Sequence, residues 1–75
     1  MRSLGSYSGE RMIKAFQKWG WQIARQKGSH VILQKEGSDA ILSIPIHAGK
    51  TVKRGTLRAL IKDSGLTVAE FLDLV

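Results

Sequence analysis

Residues 21–46 read WQIARQKGSHVILQKEGSDAILSIPI, and the fold turns on how this stretch is read. Trp21 to Gln26 alternates, with Trp21 and Ile23 on one side and Gln22 and Ala24 on the other, and the Gly28-Ser29 pair supplies a two-residue turn. Val31 to Lys35 is a second extended run. Glu36-Gly37-Ser38-Asp39 is a hairpin signal before a third, Ala40 to Ile46, in which Ala40, Leu42, Ile44 and Ile46 share one face. Pro45 has no backbone donor, so this strand belongs at an edge or ends near that residue. Runs joined by such short turns pair antiparallel, because a parallel pair needs a long crossover.

Outward from this core, both flanks read as helices. Ser8 is a candidate N-cap and Glu10 suits a first turn. Met12, Ala15, Phe16 and Trp19 fall at i, i+3, i+4 and i+7, which places Trp19 in the core and leaves Trp21 open, and Gly20 closes the helix. The Gly- and Ser-rich residues 1–7 read as a flexible N-terminal arm and residues 8–75 as a single domain. On the other flank, Lys53 to Ser64 places Leu57, Leu60, Ile61 and Ser64 on one helical face and stops at Gly65. Thr67 with Glu70 then forms a capping box, Leu66 and Phe71 take the positions of a hydrophobic staple, and Leu72 and Val75 fold back on the core. The expected architecture is α+β. Both main helices lie on one face of a three-stranded antiparallel sheet, a short C-terminal helix follows, and the other face of the sheet is open.

Composition narrows the function. Seventy-five residues allow one small domain with a thin core, and 43% hydrophobic residues with a single proline are enough to fold it. Twelve Lys and Arg against six Asp and Glu give a net charge of +6, which favours a polyanionic partner, nucleic acid before an anionic membrane surface. No segment approaches the roughly 20 apolar residues of a spanning helix, and Met1-Arg2-Ser3-Leu4-Gly5 does not lead into a secretory signal. The absence of cysteine excludes disulfides and thiolate zinc sites, and two histidines without clustered carboxylates argue against a metal. A cytoplasmic protein without metal or small-molecule cofactor is expected. No nucleotide-binding glycine loop and no nucleophilic serine turn is present, so ATP-dependent and serine-triad chemistry are set aside.

Two histidines remain for chemistry. His30 follows Lys27-Gly28-Ser29 at the mouth of the second strand, within a stretch from Arg11 to Lys35 that holds six basic residues and no acid. An imidazole changes charge nearer to neutrality than other side chains, and here it would stand beside any phosphate that the basic field attracts. A histidine entering a strand is also commonly just packed or solvated. His47, just past Ile44-Pro45-Ile46, reads as a surface residue or, if the hairpin brings it to His30, as an auxiliary that divides acid and base duties. Arg54, Arg58 and Lys62 recur every four residues in a column that suits a docked anion or a solvated face. Gly55-Thr56, near the start of that helix, offers a phosphate seat.

Ser8-Gly9, Gln26-Lys27-Gly28-Ser29-His30, Ile44-Pro45-Ile46-His47, Gly49-Lys50, Gly55-Thr56-Leu57 and Ala69-Glu70-Phe71-Leu72 together resemble the HicA type of mRNA interferase toxin, in the same order and spacing over almost the whole chain. The resemblance implies a double-stranded-RNA-binding-domain-like fold and metal-independent cleavage of mRNA as part of a type II toxin-antitoxin system. It also implies neutralisation by a HicB-type antitoxin. The family's catalytic histidine maps onto His30. Many members carry a second histidine directly after it, where this chain has Val31.

The chemistry of the residues fits that implication. RNA carries its own nucleophile, the 2′-OH beside the scissile phosphate, so His30 as general base and cations such as Lys27, Lys50, Arg54 or Arg58 meet the needs of the reaction, with the Gly28-Ser29 turn next to it. An acidic antitoxin would cover the open face and occlude His30. The alternative is a non-catalytic double-stranded-RNA-binding module, which reads A-form shape through lysines and needs no histidine. A third reading, a basic interaction protein, predicts weak RNA affinity with little salt dependence.

Overall fold

The computed structural model describes residues 3–75. Helix α1 (Gly9–Lys18) leads into strands β1 (Gln22–Lys27), β2 (His30–Gln34) and β3 (Ile41–Pro45), followed by α2 (Arg54–Ser64) and α3 (Val68–Leu74). The sheet is antiparallel in the order β1-β2-β3. This is the expected α+β arrangement, consistent with a double-stranded-RNA-binding-domain-like fold. None of the described helices is long and apolar enough to cross a membrane.

Register explains which face is covered. Val31 and Leu33 on β2 lie opposite Ile44 and Leu42 on β3, and all four are buried with Met12, Ile13, Phe16, Leu57, Leu60 and Ile61 in one apolar cluster. Residues one step away in each strand point to the other face. There the cross-strand rows are Lys27-His30-Pro45, Arg25-Ile32-Ser43 and Gln22-Gln34-Ile41. His30 and Gln34 are exposed and Ile32 is half-buried, so this side of the sheet carries no helix. β3 is an edge strand, as Pro45 requires. β1 is the other edge, and a bulge between Ile23 and Arg25 interrupts its pairing. Ile23 lies opposite buried Leu33 yet is 52% exposed, since all six residues of this edge strand are exposed.

Helix ends follow local chemistry. The Ser8 hydroxyl accepts from the Arg11 N–H at 3.2 Å. Gly65 closes α2 in the left-handed region, at φ 86°. At the start of α3 the Thr67 hydroxyl accepts from the Glu70 N–H at 3.1 Å and the Glu70 carboxylate accepts from the Thr67 N–H at 2.9 Å, completing the expected capping box. Leu66 and Phe71 are both buried, and Leu72 and Val75 are half-buried against the core.

Two expectations are corrected. Residues 3–7 do not form a flexible arm: Leu4 and Tyr7 are buried, the Tyr7 ring meets Phe71 edge-on at 5.6 Å, and the Tyr7 carbonyl accepts from the Val52 N–H at 2.8 Å. The Gly and Ser content of the segment concealed two apolar anchors. Met1 and Arg2, the rest of the expected arm, lie outside the described residues. The second correction is at Trp19, expected in the core, and Trp21, left open by the pattern, takes that place. α1 ends at Lys18, so Trp19 leaves the helical stripe and is 39% exposed, with the Lys35 ammonium 4.7 Å from its ring centroid. Gly20, at φ 103°, then turns the chain so that Trp21 enters the core at 1% exposure.

Candidate active site

The β1–β2 turn sets the position of His30. Gly28 has φ 61° and Ser29 does not share the positive φ, the pattern of a hairpin turn with glycine at its first central position. Lys27 and His30 are thereby paired across the turn, and Pro45 pairs with His30 from the other side. The Ser29 carbonyl accepts from the Ile46 N–H at 2.7 Å, which carries β3 one step past its last ladder residue and fixes the departure of His47.

A second turn places the next groups. The His47 carbonyl accepts from the Lys50 N–H at 3.0 Å, and Gly49 supplies the positive φ of 74° that the third position of such a turn demands. Thr51 then bridges to Ser8 and Val52 is tied to Tyr7, so the chain enters α2 at Lys53 beside the sheet. The packing is close at this point. A methyl group on Gly9 would collide with the Pro45 carbonyl oxygen, so only glycine lets α1 start against the end of β3.

These elements enclose an open cavity of about 450 Å³ lined by His30, Ser43, Pro45, His47, Lys50, Thr51, Val52, Lys53 and Thr56. Both imidazoles, two lysines and three hydroxyls thus share one concavity, and no carboxylate lines it. His30, His47, Lys50, Lys53 and Thr56 are all exposed to solvent. Lys53 occupies the N-cap of α2 without any side-chain hydrogen bond, and no acid stands in the first turn. The first N–H groups of that helix therefore keep their capacity for an anion.

The structure brings together part of the expected set. His30, His47, Lys50 and Thr56 line the cavity, and Lys27 stands beside His30 on the same face of the sheet. Gly28 and Ser29 act through the backbone of the turn. Arg54 and Arg58 are elsewhere. The Arg54 guanidinium reaches the Leu4 carbonyl with both terminal nitrogens at 3.5 Å, at the long limit of a hydrogen bond. Arg58 and Lys62 border a separate groove with Ile61, Leu66 and Val68. Each helical residue turns the direction by about 100°, so the stripe begun by Arg54 is not the one that carries Lys53 and Thr56 to the cavity.

Sequence reasoning missed Ser43, Thr51 and Lys53. Ser43 was legible in principle, as the polar residue alternating with the apolar face of Ala40, Leu42, Ile44 and Ile46. Lys53 carries a fainter signal, a helix start without Ser, Thr, Asp or Asn. Among the described residues no three His, Cys, Asp or Glu side chains are grouped as a metal site.

No curated protein shows significant similarity to the chain. The family model described as the HicA toxin of bacterial toxin-antitoxin systems matches residues 9–66, a span that begins at the glycine packed on Pro45 and contains every residue lining the cavity. On that match the chain belongs to the HicA toxin family.

Proposed function

We infer that this toxin is a metal-independent endoribonuclease of a type II system that cleaves mRNA, with His30 as general base. The observation that carries the reading is the cavity in which His30 meets Lys50, Lys53 and Thr56, open to solvent and free of carboxylates. A phosphodiester entering it finds lysine ammoniums, a hydroxyl and the unfilled N–H groups of α2 for its anionic oxygens. His30 takes the proton of the 2′-OH, the 2′-oxygen attacks phosphorus, and the products are a 2′,3′-cyclic phosphate and a 5′-hydroxyl. Lys27, next to His30 across the hairpin, offsets charge on the approaching backbone.

The protein partner in this reading is a HicB-type antitoxin that occludes His30. The net charge of +6 favours an acidic surface on that partner, and both proteins act in the cytoplasm. The decisive experiment is inducible expression of wild type and His30→Ala, followed by mapping of RNA ends. Wild type is expected to arrest growth and leave cyclic phosphate ends, while His30→Ala loses about 10²- to 10⁴-fold in cleavage and keeps its RNA affinity. Undiminished cleavage by the variant removes His30 from the reaction. RNA binding by the wild type without cleavage returns the chain to the class of double-stranded-RNA-binding modules.

A further inference from the structure

The ribonuclease reading uses one imidazole, yet the cavity holds two. Resting on that reading, we propose that His47 is a second catalytic residue, the general acid that protonates the 5′-oxygen as it leaves.

The inventory of the cavity leads there. Its lining contains His30, His47, two lysines and three hydroxyls, with no Asp or Glu. Lysine ammoniums and aliphatic hydroxyls hold their protons too tightly to hand one over near neutrality, whereas an imidazolium gives one readily. His47 is thus the one group besides His30 in this lining suited to proton transfer.

Placement supports the division of labour. In the displacement at phosphorus, the attacking 2′-oxygen and the departing 5′-oxygen are roughly in line on opposite sides of the phosphorus atom. Base and acid must therefore flank the phosphate. His30 projects from the start of β2 on the open face of the sheet, while His47 stands two residues beyond its cross-strand neighbour Pro45, on the turn that leads away toward α2. The carbonyl of His47 is held by the Lys50 N–H at 3.0 Å and the preceding residue is tied to Ser29, so the backbone that presents this imidazole is fixed at both sides. Lys50 and Lys53, which line the same cavity, receive the non-bridging oxygens.

The step balances without an outside reagent. The bond from the 2′-oxygen to phosphorus forms and the bond from phosphorus to the 5′-oxygen breaks. The 2′-proton moves to the neutral His30 ring, and the His47 imidazolium loses its proton to the 5′-oxygen. The enzyme leaves the step with His30 charged and His47 neutral, and exchange with water restores both.

An oligoribonucleotide spanning a mapped cleavage site separates the two roles when it is made in two forms, one with the natural 5′-oxygen and one with sulfur in its place. A thiolate departs without a proton, so the second form needs no acid. His47→Ala is expected to cut the natural substrate about 10²- to 10⁴-fold more slowly, and to cleave the sulfur-linked substrate at close to the wild-type rate. His30→Ala is expected to fail on both. His47 is exposed, and thermal unfolding together with binding of the same oligonucleotide carrying a 2′-deoxy sugar at the cleavage site shows that the variant is folded and competent to bind. His47→Gln, close in shape but unable to supply the proton, is expected to behave as His47→Ala does. Unchanged cleavage of the natural substrate, or an equal loss on both substrates, overturns the assignment. Full activity of His30→Ala beside a selective defect in His47→Ala overturns the base instead and leaves the acid standing. Wild-type protein that cleaves neither form sinks the ribonuclease reading and this inference with it.

Discussion

The starts of α2 and α3 are built in opposite ways from the same backbone. At Thr67 the hydroxyl and the Glu70 carboxylate satisfy N–H groups reciprocally, and Leu66 and Phe71 seal the turn with buried apolar surface. At Lys53 there is no side-chain cap and no acid in the first turn, and Lys53 and Thr56 are among the residues that line the cavity of His30 and His47. A closed end stabilises the fold. An end left open, with a cation where a cap would sit, is an anion site at the expense of helix stability. The contrast separates residues that hold this molecule together from those available to act on a polyanion.

Three substitutions test that separation. The largest effect is expected at the start of α1, whose Ser8 cap is closed and whose Gly9 rests on Pro45. Gly9→Ala forces a methyl against a carbonyl oxygen and is expected to cost about 1–3 kcal/mol, lowering the melting temperature by roughly 4–8 °C per kcal/mol in a domain of this size. Thermal unfolding followed by circular dichroism reads it, and an unchanged midpoint would show that α1 does not rely on that close approach.

Lys53→Asp is expected to move stability and activity in opposite directions. Aspartate caps the first turn and raises stability by about 0.5–2 kcal/mol, while reversing a charge at the phosphate seat lowers RNA cleavage on the order of tenfold, about 1.4 kcal/mol. Thermal unfolding and initial cleavage rates measured on the same sample check both, and a fall in both together would break the comparison. The smallest effect belongs to Thr67→Ala, which removes a cap that takes no part in lining the cavity. It is expected to lower stability by about 1 kcal/mol and to leave cleavage of a short RNA unchanged.

The sequence disclosed what is local and periodic. The apolar face of Leu42 and Ile44 in β3, the capping box at Thr67 and the glycine stops at Gly20 and Gly65 depend on neighbours within a few residues and are found where the pattern places them. Ala40 and Ile46, the ends of the expected run, fall outside the strand and are half-buried. At Trp19 the apolar period runs on past the end of its helix, and the residue lies outside the core. Position in the sheet decides as much as pattern at Ile23, which has the parity of the core but sits on an edge strand. The candidate site was half legible. His30 stood out because a basic field surrounds it in the sequence, and Lys50 follows it in the family motif. The meeting of His30 with His47 and Lys53 depends on the tie from Ser29 to Ile46 and on the turn from His47 to Lys50, long-range and loop geometry that no periodicity encodes. The charge column of Arg54, Arg58 and Lys62 lies apart from this cavity, with Arg54 on the Leu4 carbonyl and Arg58 and Lys62 at another groove, because helical spacing tells which residues travel together and not what they face.

The junction Trp19-Gly20-Trp21 equips the protein with two optical reporters in opposite surroundings. The Trp21 indole is enclosed in the apolar layer with no hydrogen-bond partner for its Nε1 among the described residues, whereas Trp19 lies at the surface under the Lys35 ammonium. Fluorescence of the first shifts to longer wavelength when the interior opens to water, while the second is within reach of a soluble quencher in the native state. With each tryptophan replaced in turn by phenylalanine, one chain yields separate signals for melting of its interior and for events at its surface.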